Sequence, residues 1–217
     1  SLWDVMCPGV IAKTHKVVLV GPSAGRYKGG ISQFTSYLAY RLSAICSLRF
    51  FSWYRHYPIL LSKREFLDRV SGVQIAGADA EFLLGYSNPL SWVRCARKIA
   101  AFEPDIVLMT WIHPVHFPQL FFLTSYLRRN TSAEIVFICH SVLPHEPVPG
   151  ARILSRQVFR AVDRFIVHGS SEAQDVLGIM PGKKITKLFL PLHDFFPPAC
   201  ENEHGDGSKP SKQLLFF

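Results

Sequence analysis

Four short, nearly unbroken apolar runs constrain this chain more than any other feature: Lys16 to Val20 (KVVLV), Ile106 to Thr110 (IVLMT), Glu134 to Cys139 (EIVFIC) and Arg164 to His168 (RFIVH). A strand with one wet face alternates apolar and polar residues. Runs without that alternation are buried on both faces, which is the signature of a parallel sheet covered on each side. Parallel neighbours need long crossovers, and the intervening segments carry helical spacing. Ile31, Phe34, Leu38, Leu42 and Ile45 follow the first run at such spacing. Asn88-Pro89 supplies an N-cap and a first-turn proline for a helix with Trp92, Cys95, Ile99 and Phe102 on one side and Arg94, Arg97 and Lys98 on another. Pro104-Asp105 stops it. A helix is expected from Pro114 to about Arg129, another near Ile153 to Val162, a short one from Ser171, and a last strand near Ile185 to Leu190. The fold class is therefore α/β, a Rossmann-like doubly wound parallel sheet. Between Ser47 and Tyr86 the pattern is weaker: Phe50, Phe51 and Trp53 indicate a strand, while Arg55 to Asp68 has no clean period.

At 217 residues, 48% of them hydrophobic, the chain can bury one substantial core. No uncharged apolar run reaches the roughly 18 residues of a spanning helix. Ser1 to Lys16 has Asp4 near the front and no basic residue ahead of a short apolar stretch, which argues against a signal peptide; Ser1 in place of Met suggests a fragment. The cysteines at 7, 46, 95, 139 and 200 are scattered and odd in number, so neither a disulfide framework nor a zinc ribbon is indicated and a reducing, cytoplasmic compartment fits. A formal charge of +8 favours anionic partners. The expected organisation is an N-terminal extension over 1–15, a Rossmann-like domain over 16–196, a Pro/Gly/Ser-rich linker over 197–212, and in 213–217 (QLLFF) the first strand of a further domain.

In an open α/β sheet ligands bind beyond the carboxyl ends of the strands, so the loops after Val20, Thr110, Cys139 and His168 converge on one crevice. The first, Gly21 to Gly30 (GPSAGRYKGG), ends in two glycines at a helix N-terminus, where free N–H groups and the helix dipole can meet a phosphate, with Lys28 adding charge. The glycines equally suit a tight turn alone. Neither a G-x-G-x-x-G fingerprint nor a P-loop is present. His140 stands at a strand exit with His145 and Glu146 nearby, placed either to touch substrate or to cap the loop. His113-x-x-His116 has no close Cys or carboxylate, so no metal site is expected. Arg152, Arg156 and Arg160 form a basic stripe, either a solvated face or a contact with an anionic membrane surface. No RNA-binding pattern accompanies it, and no nucleic-acid partner is expected.

With these residues in view, KVVLVGPSAGRYKGGISQFTSYLAYRL resembles the opening strand, Gly-Gly-Ile loop and first helix of glycosyltransferase family 4. FFSWYRHYP resembles an Arg-x-Tyr-Pro segment of one bacterial group in that family, FEPDIVLMTW its central strand, and FICHSVLPHE its His-Asn-Val-Leu-Pro-His-Glu element. DRFIVHGSSEAQDVL and KLFLPLHDFF resemble its later strand and helix and the run before its interdomain linker. Together these segments cover most of Lys16 to Phe196. The resemblance implies the N-terminal, acceptor-side half of a GT-B fold. The enzyme would be a retaining transferase that moves a sugar from a nucleotide-sugar to a glycan or lipid-linked acceptor, with no metal or other cofactor; the basic balance and the arginine stripe would put it at the inner face of the membrane. It implies that Gly29, Gly30 and Ile31 approach the donor diphosphate, that His140 lies near the transferring sugar, and that Arg55, Tyr57, Trp111, His145 and Glu146 face the acceptor. Ser141 stands where the group often has Asn. The second domain of that family supplies the donor-binding Arg, Lys and paired Glu, so these 217 residues alone are expected to be inactive. Two other readings are a glycan or lipid-headgroup binding module without catalysis, and a Rossmann-like hydrolase; the latter lacks a Gly-x-Ser-x-Gly elbow.

Overall fold

In the computed structural model, residues 15–56, 79–143 and 150–189 are described. The expected linker, the QLLFF strand and all of the N-terminal extension except His15 lie outside them, as do Tyr57, His145 and Glu146. Strands β1 (Lys16–Val20), β2 (Ser47–Arg55), β3 (Glu81–Gly85), β4 (Ile106–Trp111), β5 (Glu134–Cys139), β6 (Arg164–Val167) and β7 (Lys184–Lys187) form one sheet in the order β3-β2-β1-β4-β5-β6-β7. Every neighbouring pair is parallel. Helices α1 (Gly30–Ile45), α2 (Pro89–Phe102), α3 (Phe117–Asn130), α4 (Ala151–Phe159) and α5 (Ser170–Ile179) are the crossovers. The chain runs outward from β1 in one direction, then returns to place β4 on the other side of β1. Loops leaving β1 and β4 therefore diverge, and the gap between them is where such sheets bind ligands.

The unbroken apolar runs have the predicted consequence. Val17, Leu19, Leu108 and Ile138 point to the face covered by Phe34, Ala39 and Leu42 of α1. Val18, Val20, Met109 and Phe137 point to the opposite face, which packs on side chains of α2, α3, α4 and α5. Two aspartates just ahead of strands set the register at the amino edge. Asp105 accepts the Lys16 N–H at 2.8 Å through Oδ2, and Asp163 accepts the Ile135 N–H at 2.8 Å and an Arg128 Nη2–H at 2.7 Å. Each carboxylate satisfies an amide in the first two residues of a neighbouring strand.

Two boundaries and one strand differ from the sequence reading. The helix expected near Ile153 to Val162 spans Ala151–Phe159: Gly150 turns the chain at φ 78° just ahead of it, and a turn in which the Val162 N–H is donated to the Phe159 carbonyl ends it and leaves Val162 buried. The last strand is Lys184–Lys187, earlier than Ile185 to Leu190. Strand β3 lies in a stretch with no clean pattern; it is an edge strand paired on one side with register shifts, so it needs no continuous apolar run. The cap at Asn88 is as expected, its Oδ1 accepting the Ser91 N–H at 3.4 Å with Pro89 in the first turn.

Candidate functional site

The loop after β1 is held from several sides. Ser36 Oγ accepts the Ala24 N–H at 2.9 Å, Ser32 Oγ donates to the Tyr27 carbonyl at 2.7 Å, and the Tyr27 hydroxyl donates to the Trp53 carbonyl at 2.8 Å. Gly21 starts the loop at a close approach: a Cβ there would lie 2.5 Å from Thr35 Cγ2 and 3.0 Å from Thr110 Oγ1. The loop ends at Gly29, whose φ of 115° and ψ of 162° suit only glycine. Helix α1 then begins with no side-chain cap and no acidic residue in its first turn, and Lys28, Gly29 and Gly30 are exposed. Among the other helices, α2 is capped by Asn88 and α5 carries Glu172 in its first turn, while α3 and α4 also start without a side-chain cap or an acidic residue. The start of α1 thus presents free N–H groups and the positive end of a 16-residue helix beside an ammonium group.

His140 leaves β5 with its N–H donated to the Trp111 carbonyl at 3.1 Å, which continues the β4–β5 ladder by one residue. Its ring meets the Phe34 edge at 5.0 Å between centroids and the His168 ring at 5.1 Å, inclined by 33°. Phe34 also meets His168, at 5.3 Å. Phe34 stands four residues, about 6 Å of helix, into α1, and the imidazole pair packs against its ring. Burial, with His168 adding to it, pushes the His140 pKa down to about 3, so the ring is neutral near pH 7. A neutral imidazole there can exchange a hydrogen bond with a hydroxyl and is a poor proton donor. His168 Nδ1 lies 3.0 Å from the Leu188 carbonyl, which can only accept, so this nitrogen carries the proton. The Nε2 atoms of His140 and His168 are both buried with no hydrogen-bond partner. A buried polar atom left so costs about 1–3 kcal/mol.

The remaining expected residues are placed unevenly. Arg55 is exposed at the end of β2. Trp111 is fully buried, donates its indole N–H to the Val142 carbonyl at 3.1 Å and packs on Phe159 at 4.9 Å. Strand alternation turns it into the α4 side of the core. Ser141 Oγ donates to the Leu143 carbonyl at 2.9 Å rather than to a histidine. His113 Nδ1 accepts the Val115 N–H at 3.0 Å and caps the short 3-10 turn Pro114–His116. Among the described residues no group of three His, Cys, Asp or Glu could hold a metal ion. Arg152 donates to the Gly178 carbonyl at 3.0 Å, tying α4 to the end of α5. Arg156 and Arg160 are exposed, and so are Ile153 and Leu154 beside them. No described helix is long and apolar enough to cross a membrane.

Sequence reasoning missed His168 as a site residue, although it leaves its strand just as His140 does. It also missed a buried cluster at the ends of β2 and β4. There His56 stacks on His116 at 4.3 Å and leans on Trp53 at 4.7 Å, and the Trp53 indole N–H is donated to Gln119 Oε1. Burial pushes the His116 pKa down to about 4 and holds His56 well below the usual imidazole range.

No family model and no curated protein matches this sequence. Among solved structures, a sucrose-phosphate synthase from Thermosynechococcus elongatus is similar over 82% of this chain and 90% of that one, at 8% identity and a TM-score of 0.44. An alpha-glucosyltransferase in complex with UDP and DNA is similar over 82% of this chain and 43% of that one, at 10% identity and a TM-score of 0.45. An E. coli trehalose-6-phosphate protein bound with UDP-2-fluoro glucose matches 76% of this chain and 42% of that one, at 12% identity and a TM-score of 0.39. This chain spans less than half the length of the last two. Likenesses this remote carry nothing about chemistry.

Proposed function

We propose that this chain is the acceptor-side domain of a glycosyltransferase resembling family 4, which takes a sugar from a nucleotide-sugar with retention and passes it to a glycan or lipid-linked acceptor. The observation that carries this reading is the uncapped start of α1, with Lys28, Gly29 and Gly30 exposed, together with a neutral His140 packed on Phe34 of the same helix. That pairing of chemistries suits a ligand with an anionic diphosphate next to a neutral polyol. The helix N-terminus and Lys28 would take the former, and His140 would hydrogen-bond the latter. The donor's base and the diphosphate's far side would be held by a second Rossmann-like domain. Arg55 would face the acceptor. Exposed Ile153 and Leu154 among Arg152, Arg156 and Arg160 would rest on an anionic membrane surface, bringing a lipid-linked acceptor to the cleft.

The test is nucleoside diphosphate release by the full-length protein across a panel of UDP-, GDP- and ADP-sugars, with a membrane extract as acceptor source. Release with one donor, lowered at least about tenfold by His140→Ala with little change in unfolding midpoint, is the expected result. No release with any donor, or unchanged turnover in the variant, overturns the reading.

A further inference from the structure

His168 is the cluster residue that the transferase reading leaves without a task, and its bonding pattern restricts what that task can be. Its Nδ1–H is committed to the Leu188 carbonyl, and Leu188 is itself fastened by donating its N–H to the Val167 carbonyl at 2.9 Å. In the neutral ring Nε2 is then a lone-pair acceptor with no hydrogen to give. The same atom has no partner, and the His140 ring, 5.1 Å away between centroids, carries an equally unpartnered Nε2. A phosphate oxygen, which only accepts, gains nothing from such a nitrogen, whereas a hydroxyl group donates to it. We propose that His168 is a second ligand-contacting residue of the cleft, whose Nε2 accepts a hydrogen bond from a saccharide hydroxyl next to the one held by His140. This rests on the transferase reading for the kind of ligand, and it divides the site chemically: anion at the start of α1, hydroxyls at the imidazole pair. Both Nε2 atoms are covered by protein, and the Phe34 ring packs in T-shaped geometry against both imidazoles. The contact therefore forms as the ligand displaces the groups that cover these two atoms.

Imidazole NMR on the full-length protein labelled at histidine tests this without needing turnover. Long-range nitrogen–proton correlations, assigned with His168→Phe and His140→Phe, are expected to show His168 protonated at Nδ1 alone. One arm adds methyl glycosides of glucose, galactose, mannose and N-acetylglucosamine, a second adds UDP-glucose and GDP-mannose, and a third adds UDP, GDP and inorganic pyrophosphate. Shifts at the His168 ring in the first arm assign the hydroxyl to an acceptor sugar, and shifts in the second alone assign it to the donor sugar. In either case His168→Phe is expected to weaken binding by up to about tenfold, with part regained in His168→Gln, whose amide oxygen can accept. An Nε2-protonated His168, equal shifts with pyrophosphate or the bare nucleotides, or no shift in either sugar arm overturns the proposal. Sugar-induced shifts in a protein that releases no nucleotide would uphold this contact while the transferase reading falls.

Discussion

Gly21→Ala probes the joint on which the cleft depends, where β1 hands the chain to the loop and α1 crosses back over β1 and β4. The added methyl would sit 2.5 Å from Thr35 Cγ2, with Thr110 at 3.0 and 3.1 Å behind it. Carbon atoms pack at about 3.5 Å or more, so the overlap with Thr35 is about 1 Å. Thr35 is fully buried and its Oγ1 donates to the Ile31 carbonyl at 2.7 Å, so it cannot swing aside without losing that bond. Overpacking of this kind costs about 1–3 kcal/mol. Thr35→Ser removes only the offending methyl and keeps the hydroxyl, at a cost of about 1 kcal/mol for the lost buried carbon. In the double variant the alanine methyl fills the space the threonine methyl left, so the two costs should not add. The shortfall should be at least about 1 kcal/mol, and the Thr110 contacts leave a smaller residual penalty. Urea unfolding of the wild type, both single variants and the double variant measures this cycle, with an unchanged m-value as the check that only stability moved. Additivity to within about 0.5 kcal/mol would refute the packing argument.

Two further outcomes follow from the buried polar groups. His140 and His116 have folded pKa values near 3 and near 4 against 6.5 for an ordinary imidazole. As pH falls below about 6.5 the unfolded chain binds protons that the folded chain refuses, so stability is present above that pH and declines toward the folded values. The slope is up to about 1.4 kcal/mol per pH unit for each ring. Urea midpoints between about pH 7 and pH 5 should drop accordingly, and His140→Phe should flatten the decline; an equal slope in the variant would contradict the burial argument. At the second cluster, Trp53→Phe takes the indole N–H from Gln119 Oε1 and leaves a fully buried amide without that donor. It should cost about 1–3 kcal/mol, and adding Gln119→Leu should restore part of the loss in thermal unfolding; no recovery would mean that the amide is not what suffers.

Much of the fold was legible because its signals are local. KVVLV, IVLMT, EIVFIC and RFIV could be read as doubly buried strands from their lack of alternation, and Asn88-Pro89 as a helix start from capping chemistry alone. Strand β3 was not legible, since an edge strand with one partner carries a weak pattern. The burial of Trp111 was not legible, because an aromatic at a strand exit can face either the cleft or a helix, and only the side-chain alternation within the assembled sheet decides which. His168 stood in plain view after FIV, yet nothing local shows that its neighbour in space is His140, 28 residues earlier and two strand exits away from Phe34.

The parallel α/β class, the strand and helix sequence and the glycine-ended first loop were determined by the amino-acid sequence itself, because burial period, caps and turn conformations act over a few residues at a time. The tertiary structure decided which strand ends are neighbours, that Phe34 of α1 meets two imidazoles from β5 and β6, and that burial holds His140 neutral. Those are properties of groups brought together across a sheet. Sheet order and desolvation depend on the whole packed assembly, and no window of sequence contains them.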